Sequence, residues 1–214
     1  MTRQQFDELT AKGVVILDGA TGSNLRKAGM PVGISSEQWV LENPSVLQEL
    51  QRAYVDAGSQ IVYAPTFAAN PISLRNFNLQ DRVAELNTKL VKICKDGIGN
   101  RALVAGDITT TGQLMEPRGT LTYNELYEAY QEQMKALVDA GVDLLIAETM
   151  IGADETMAVI DAAHAVCDLP ILCSLTMQAD GSLFFGGNIF ETAPMLEEMG
   201  ADAVGINCST GPDQ

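Results

Sequence analysis

Three segments of the chain repeat one pattern. Asp56-Ala57-Gly58-Ser59-Gln60-Ile61-Val62, Asp139-Ala140-Gly141-Val142-Asp143-Leu144-Leu145 and Glu198-Met199-Gly200-Ala201-Asp202-Ala203-Val204 each read as helix end, glycine, short loop and apolar strand. A glycine just past a helix takes the left-handed conformation that turns the chain toward its next element. Repetition of this joint marks a chain built from βα units, which can form an open doubly wound sheet or a closed (β/α)8 barrel. Residues 14–17, 61–64, 102–105, 144–147, 171–175 and 203–206 are near-continuous apolar runs, as expected of parallel strands covered on both faces. Helical patterns lie between them at 44–57, 71–77, 81–95, 123–140, 154–166 and 189–199. Asn43 before Pro44 predicts an N-cap, and Thr122 with Glu125 predicts a capping box.

Polar residues stand at the C-terminal end of nearly every predicted strand: Asp18, Thr66, Asp107, Glu148, Thr176 and Asn207-Cys208. A barrel draws its site from many strand ends, whereas an open sheet concentrates ligands at one switch point. The first strand carries no GxGxxG fingerprint, and no Walker A sequence occurs. The pattern therefore predicts an α/β chain of the TIM-barrel, (β/α)8, type. A barrel has eight strands and roughly 250 residues. The six strands legible in 214 residues predict about six of the eight βα units, in one domain over residues 1–214 that is incomplete at its C-terminus.

The charge balance excludes some classes of partner. Lys and Arg number 13 against 28 Asp and Glu, giving a net charge of −15. A nucleic-acid binder needs a basic stripe, so no nucleic-acid partner is expected. An anionic membrane surface would repel the chain, and no apolar run approaches the ~20 residues that span a bilayer. The first residues show no signal-like apolar segment, so the expected location is cytoplasmic. The four cysteines, at 94, 167, 173 and 208, form no CxxC pair and are expected as free thiols.

Several strand-end residues could carry chemistry. Asp18-Gly19-Ala20-Thr21-Gly22 offers a carboxylate beside backbone that a ligand can approach closely, or simply a glycine-rich turn. Glu148 could bind an amine or act as a base, and Asp107 ends its run in the same way ahead of Thr109-Thr110-Thr111-Gly112. Thr66 and Phe67 could supply a hydroxyl and an apolar wall. Trp39 reads as a loop anchor. The single histidine, His164, falls in mid-helix, so Ser-His-Asp and Cys-His systems are not expected. No lysine falls at a strand mouth, which argues against a Schiff-base barrel enzyme. Cys208 could be a nucleophile, a metal ligand or a bystander, and a reactive thiolate needs a base or a metal beside it.

Taken in order, several motifs resemble the homocysteine S-methyltransferase family. They are Leu17-Asp18-Gly19-Ala20-Thr21-Gly22-Ser23, Glu42-Asn43-Pro44, Tyr54-Val55-Asp56-Ala57-Gly58, Pro65-Thr66-Phe67-Ala68-Ala69-Asn70, Ala105-Gly106-Asp107, Ala147-Glu148-Thr149 and Gly205-Ile206-Asn207-Cys208-Ser209-Thr210-Gly211-Pro212. Within that family the chain is most similar to the homocysteine-binding module of cobalamin-dependent methionine synthases. The resemblance implies a (β/α)8 barrel with zinc at its mouth, held by three cysteines. Cys208 matches the first of these, as metal ligand and catalytic residue. The other two belong to a Gly-Gly-Cys-Cys motif that residues 1–214 do not contain.

The resemblance also implies that Asp18 and Glu148 receive the homocysteine amino group, with Glu148 among the catalytic residues. Gly19, Thr66 and Asn207 would line the pocket and receive the carboxylate. Thr109-Thr110 departs from the Gly-Pro that the family often carries there. The implied reaction moves a methyl group to the homocysteine thiolate to give methionine. The implied donor is methylcobalamin, recharged by methyltetrahydrofolate, so the expected partners are cobalamin- and folate-binding modules. With one zinc ligand, the isolated chain is expected to be inactive. The alternative is an inactive or partner-dependent homocysteine-binding module that needs a second chain to complete its barrel and zinc site. Self-association through open barrel edges would be one route.

Overall fold

The computed structural model describes residues 1–209 and Gly211. Thr210 and Pro212 of the closing motif lie outside the described residues. Five parallel strands form one sheet in chain order: β1 (Ile61–Tyr63), β2 (Leu103–Thr109), β3 (Leu144–Met150), β4 (Ile171–Leu175) and β5 (Ala203–Ile206). The order never reverses, so the sheet has no topological switch point and winds in one direction, as a barrel does. The helices are α1 (Arg3–Thr10), α2 (Thr21–Lys27), α3 (Ser36–Glu42), α4 (Pro44–Asp56), α5 (Pro71–Leu74), α6 (Val83–Ile98), α7 (Tyr123–Asp139), α8 (Ala153–Val166) and α9 (Ile189–Glu198).

The three glycine joints behave as their sequence requires, with Gly58, Gly141 and Gly200 all at positive φ. They also share a finer device at the second residue after the glycine. Asp143 donates its N–H to the Val104 carbonyl and accepts the Val104 N–H on Oδ2, both at 2.8 Å. Asp202 clamps Ile171 in the same way, again with two bonds of 2.8 Å. Gln60 clamps Ile16, donating its N–H at 2.7 Å and accepting on Oε1 at 3.1 Å. Each clamp pairs the start of one strand with the start of its neighbour, which fixes register.

Side chains on successive residues point to opposite faces. Val62, Val104, Ile108, Leu145, Ala147, Ile171, Cys173 and Leu175 pack outward in the main core with residues of α6, α7 and α8. Ile61, Ala105, Leu144, Ile146 and Leu172 point inward and are plugged from below by Phe6 of α1. Further along the strands the same inward positions become polar: Tyr63, Asp107, Thr109, Glu148 and Ser174. The interior is thus apolar at the strand starts and polar at the strand ends. A third cluster joins α2, α3, α4 and α6, with Trp39 packed against it from within α3 rather than from a loop.

Three expectations need correction. The run at 14–17 forms a single bridge, Leu17 to Ile61, and Val14 is 88% exposed. The ladder stops there because Asp18 accepts the Tyr63 N–H with its side chain at 2.9 Å, in place of a further strand carbonyl. Asn43 does not cap α4 with its side chain, which donates to the Trp39 carbonyl of the preceding helix at 3.0 Å. β2 and β3 also run past their predicted ends, to Thr109 and Met150. The Thr122–Glu125 capping box is present. No helix among the described residues is long and apolar enough to cross a membrane.

The clamps generate a prediction. Asp143→Ala and Asp202→Ala each strand a strand-opening N–H, at a cost of about 1–3 kcal/mol per site. The two losses should be nearly additive, because the residues share no partner. Urea unfolding of the single and double variants would measure this. Losses below about 0.5 kcal/mol at both sites would show that the clamps do not set register.

Candidate functional site

The polar end of the interior gathers Asp18, Tyr63, Asp107, Glu148 and Asn207. The parity of β2 and β3 turns Asp107 and Glu148 inward, and both residues lie within their strands. Burial pushes the Asp18 carboxyl up to about 7 against the hold of the Tyr63 N–H, and the nearby Glu148 charge adds to the rise. Burial also raises Glu148, whose charge is supported by Asp107 and Asn207. Asp107 is pushed well above the usual carboxylate range, first by burial and then by Glu148, Asp18 and Glu37. The Tyr63 phenol is raised by burial and by the same three inward carboxyls, so it stays protonated. Among the described residues, every ion pair formed by Lys or Arg lies elsewhere, so no base compensates these acids.

Glu148 owes its aim to an irregularity. The register between β3 and β4 shifts between Ala147 and Met150, and Thr149 sits there at φ 59°. Such bulges re-aim side chains at barrel rims. Asn207, at the tip of β5, ties this one down. Its Nδ2 donates to Glu148 Oε1 at 3.0 Å and to Thr149 Oγ1 at 2.9 Å, while its Oδ1 accepts the Thr149 N–H at 3.0 Å. Asn207 therefore orients the carboxylate that any ligand here would meet.

Cys208 is exposed and also left-handed, at φ 49°. Its sulfur lies 3.5 Å from Asn207 Nδ2. Thr176 pins the backbone by donating to the Cys208 carbonyl at 3.0 Å, and Ser209 Oγ accepts the Met177 N–H at 2.9 Å. A strained tip held in this way presents the thiol at the mouth. Cys94 and Cys173 are buried in the main core behind the sheet, and Cys167 ends α8. Among the described residues no group of three potential metal ligands occurs. The described residues thus bring one cysteine to the mouth and do not by themselves make up a zinc site.

Other predicted residues fall behind the mouth. Thr66 is fully buried, and its hydroxyl donates to the Asp107 carbonyl at 2.8 Å and accepts the Asp107 N–H at 3.1 Å. It positions Asp107 from behind. Gly19 packs against Tyr54, whose ring would lie 2.9 Å from an added Cβ. Phe67 is partly exposed in the loop after β1. His164 bonds to Arg3, on a helix away from the mouth.

Sequence reasoning passed over two residues. Tyr63 was hidden in an apolar run, although its parity with Ile61 points it inward. Glu155, in the first turn of α8, is buried and accepts from Thr110, Thr111 and Tyr130. It orders the loop after β2, and an acid in a helix's first turn was the available signal.

The chain can now be compared with known proteins. Residues 15–214 match the homocysteine S-methyltransferase family. A methionine synthase of Mycobacterium tuberculosis is 25% identical over 222 residues, covering 96% of this chain and 18% of the relative. A methionine synthase of Mycobacterium leprae is also 25% identical, over 98% of this chain and 19% of the relative. The chain thus spans about a fifth of the length of these curated relatives. The metallated form of MmuM, a homocysteine methyltransferase of Escherichia coli, superposes with a TM-score of 0.79 at 24% identity, over 94% of this chain and 77% of that one. Its oxidised form gives 0.76 at 22% identity, over 91% and 73%. These likenesses establish the fold as the (β/α)8 barrel type.

Two predictions follow from the geometry. Asp18→Asn keeps an oxygen for the Tyr63 N–H and removes the charge. A carboxyl raised from 3.8 to about 7 on folding contributes stability that is fully present below the unfolded value. That contribution is lost as pH rises through the folded value. The wild type should therefore weaken relative to the variant from about pH 4 to pH 7, by about 4 kcal/mol in all. Equal differences in unfolding free energy at about pH 5 and pH 8 would reject this. Separately, Asn207→Ala removes three bonds to the bulge and should cost about 2–3 kcal/mol. Denaturant titration would check it, and an unchanged midpoint would mean that the bulge holds itself.

Proposed function

Because the chain belongs to the homocysteine S-methyltransferase family, we propose that residues 1–214 are the homocysteine-binding barrel segment of a methyltransferase that makes methionine. The observation that carries this reading is the mouth itself: three inward carboxyls, no compensating base, and an exposed thiol beside them. Such a site suits a small ligand with an ammonium group at one end and sulfur at the other. Glu148, aimed by Asn207, and Asp18 would receive the ammonium group. The uncharged Tyr63 phenol would bound the pocket without adding charge, and the backbone at Gly19 and Asn207 would meet the carboxylate.

Zinc, when bound in such a site, stabilises a substrate thiolate at neutral pH. Cys208 would be its one ligand from the described residues, and two further thiolates would have to come from elsewhere. We propose methylcobalamin on another module as the methyl donor, with cobalamin- and folate-binding modules as partners. A second reading is a binding module completed by a partner chain. Uncovered strand edges invite pairing. Light scattering that finds only monomer over a wide concentration range would count against that second reading.

The test of the main reading separates ammonium recognition from thiol recognition. L-homocysteine should bind the chain, measured by calorimetry. 4-Mercaptobutyrate, which lacks the amino group, should bind about 10-fold more weakly or worse, as loss of a charge-assisted contact predicts. Glu148→Ala should remove that preference. Equal affinities for the two ligands, or no homocysteine binding, would overturn the reading.

A further inference from the structure

Asp107 poses a physical problem that the site described so far does not solve. Its side chain is buried, and no N–H or O–H group among the described residues reaches its Oδ1. A buried carboxylate without a donor is costly, and such atoms are rare in native folds. The backbone of Asp107 is held rigidly. Its N–H and carbonyl are both bonded to Thr66 Oγ1, and Gln133 Nε2 of α7 donates to the Thr66 carbonyl at 2.7 Å. The fixed backbone keeps the side chain on the inner face of β2. The group within its hydrogen-bonding reach is the Glu148 carboxyl. Two carboxyls in contact form a hydrogen bond only if one of them carries a proton.

We propose that Asp107 carries that proton and is a positioning residue, donating a hydrogen bond to Glu148 so that the pair presents a single negative charge to the mouth. The surroundings assign the proton. Glu148 accepts from Asn207 Nδ2, which favours its charged form, whereas Asp107 Oδ1 has no donor among the described residues. The other titratable groups facing Asp107 are Asp18 before β1, Tyr63 on β1 and Glu37 on α3. Asp18 and Glu37, together with Glu148, oppose a charge on Asp107, and the phenol is neutral. Glu148 is thereby gripped on two sides, by Asn207 and by Asp107. One balanced negative charge matches one ammonium group, whereas two adjacent carboxylates would hold it in a looser, doubly charged site. The inference rests on the ammonium-binding reading for its purpose, but not for the location of the proton.

Two measurements test it, and the first needs no ligand. In the 13C-carboxyl spectrum of the free protein, the resonance lost in Asp107→Asn should lie at a protonated-carboxyl shift at neutral pH. A carboxylate shift there would overturn the proposal. In the second, L-homocysteine is titrated into variants. Asp107→Asn retains an N–H donor and should bind within about 3-fold of wild type, whereas Asp107→Leu should lose about 10-fold or more. If Asn is as damaging as Leu, Asp107 acts through charge and the proposal is wrong. If both variants bind like wild type, its hydrogen bond does not position Glu148, and the proposal is again wrong. Failure of the wild type to bind homocysteine would reject the functional reading and leave the carboxyl spectrum to decide the proton's location.

Discussion

Register, fixed at the start of the strands, decides what the molecule can do at their ends. In a strand the side-chain period is two, so a slip of one residue would exchange the inner and outer faces. With Val104 held by Asp143, residues 105, 107 and 109 must point inward. With Ile171 held by Asp202, Leu172, Ser174 and Thr176 do the same. The same parity that seats Ala105 and Leu172 around Phe6 places Asp107 and Ser174 above them. Core and site are therefore two halves of one inner surface, and neither can be misregistered without the other.

This arrangement explains why so many acidic groups can share a small space. Each inward carboxyl is held by a group that leaves it little freedom. Asp18 accepts the Tyr63 N–H, Glu148 accepts the Asn207 amide, and Asp107 is fixed through its backbone by Thr66. The supports come from different strands and from their tips, so the site has no single hinge. Two of the left-handed non-glycine residues, Thr149 and Cys208, lie at the barrel mouth. Their strain is held by Asn207 and by Thr176, which suits a site whose geometry precedes its ligand.

Much of this was legible because parallel strands buried on both faces announce themselves as apolar runs. Ile171–Leu175 and Ala203–Ile206 are found with the predicted bounds. The ends of β2 and β3 were not legible, for a physical reason. Asp107, Thr109, Glu148 and Thr149 break the apolar run because they line the barrel mouth, while the backbone ladder continues through them. Polarity marked the residues that face the mouth but cut the strands short. The run at 14–17 fails in the opposite sense, since it is apolar yet bridges only at Leu17. α1, α2 and α3 went unread because each is only seven or eight residues long, although Thr2 and Gln5 form a capping box. The bulge at Thr149 depends on Asn207, 58 residues away, and no local pattern carries such a bond.

The acidity of the mouth also bears on how a ligand would be chosen. An unpaired charge in a desolvated site is costly, so a cluster of acids without a base holds protons until a cation arrives. Asp18, with its carboxyl near neutrality, is the member best placed to exchange a proton for an ammonium group. A neutral or anionic compound of the same shape would bring no charge to displace that proton. It would leave Glu148 desolvated beside it. Discrimination would then come less from new attraction than from the penalty that the wrong ligand fails to relieve. An exposed thiol at Cys208, 3.5 Å from the Asn207 amide nitrogen that holds Glu148, would add a second requirement beside the first. Charge and sulfur together would restrict the ligands more than either group could alone.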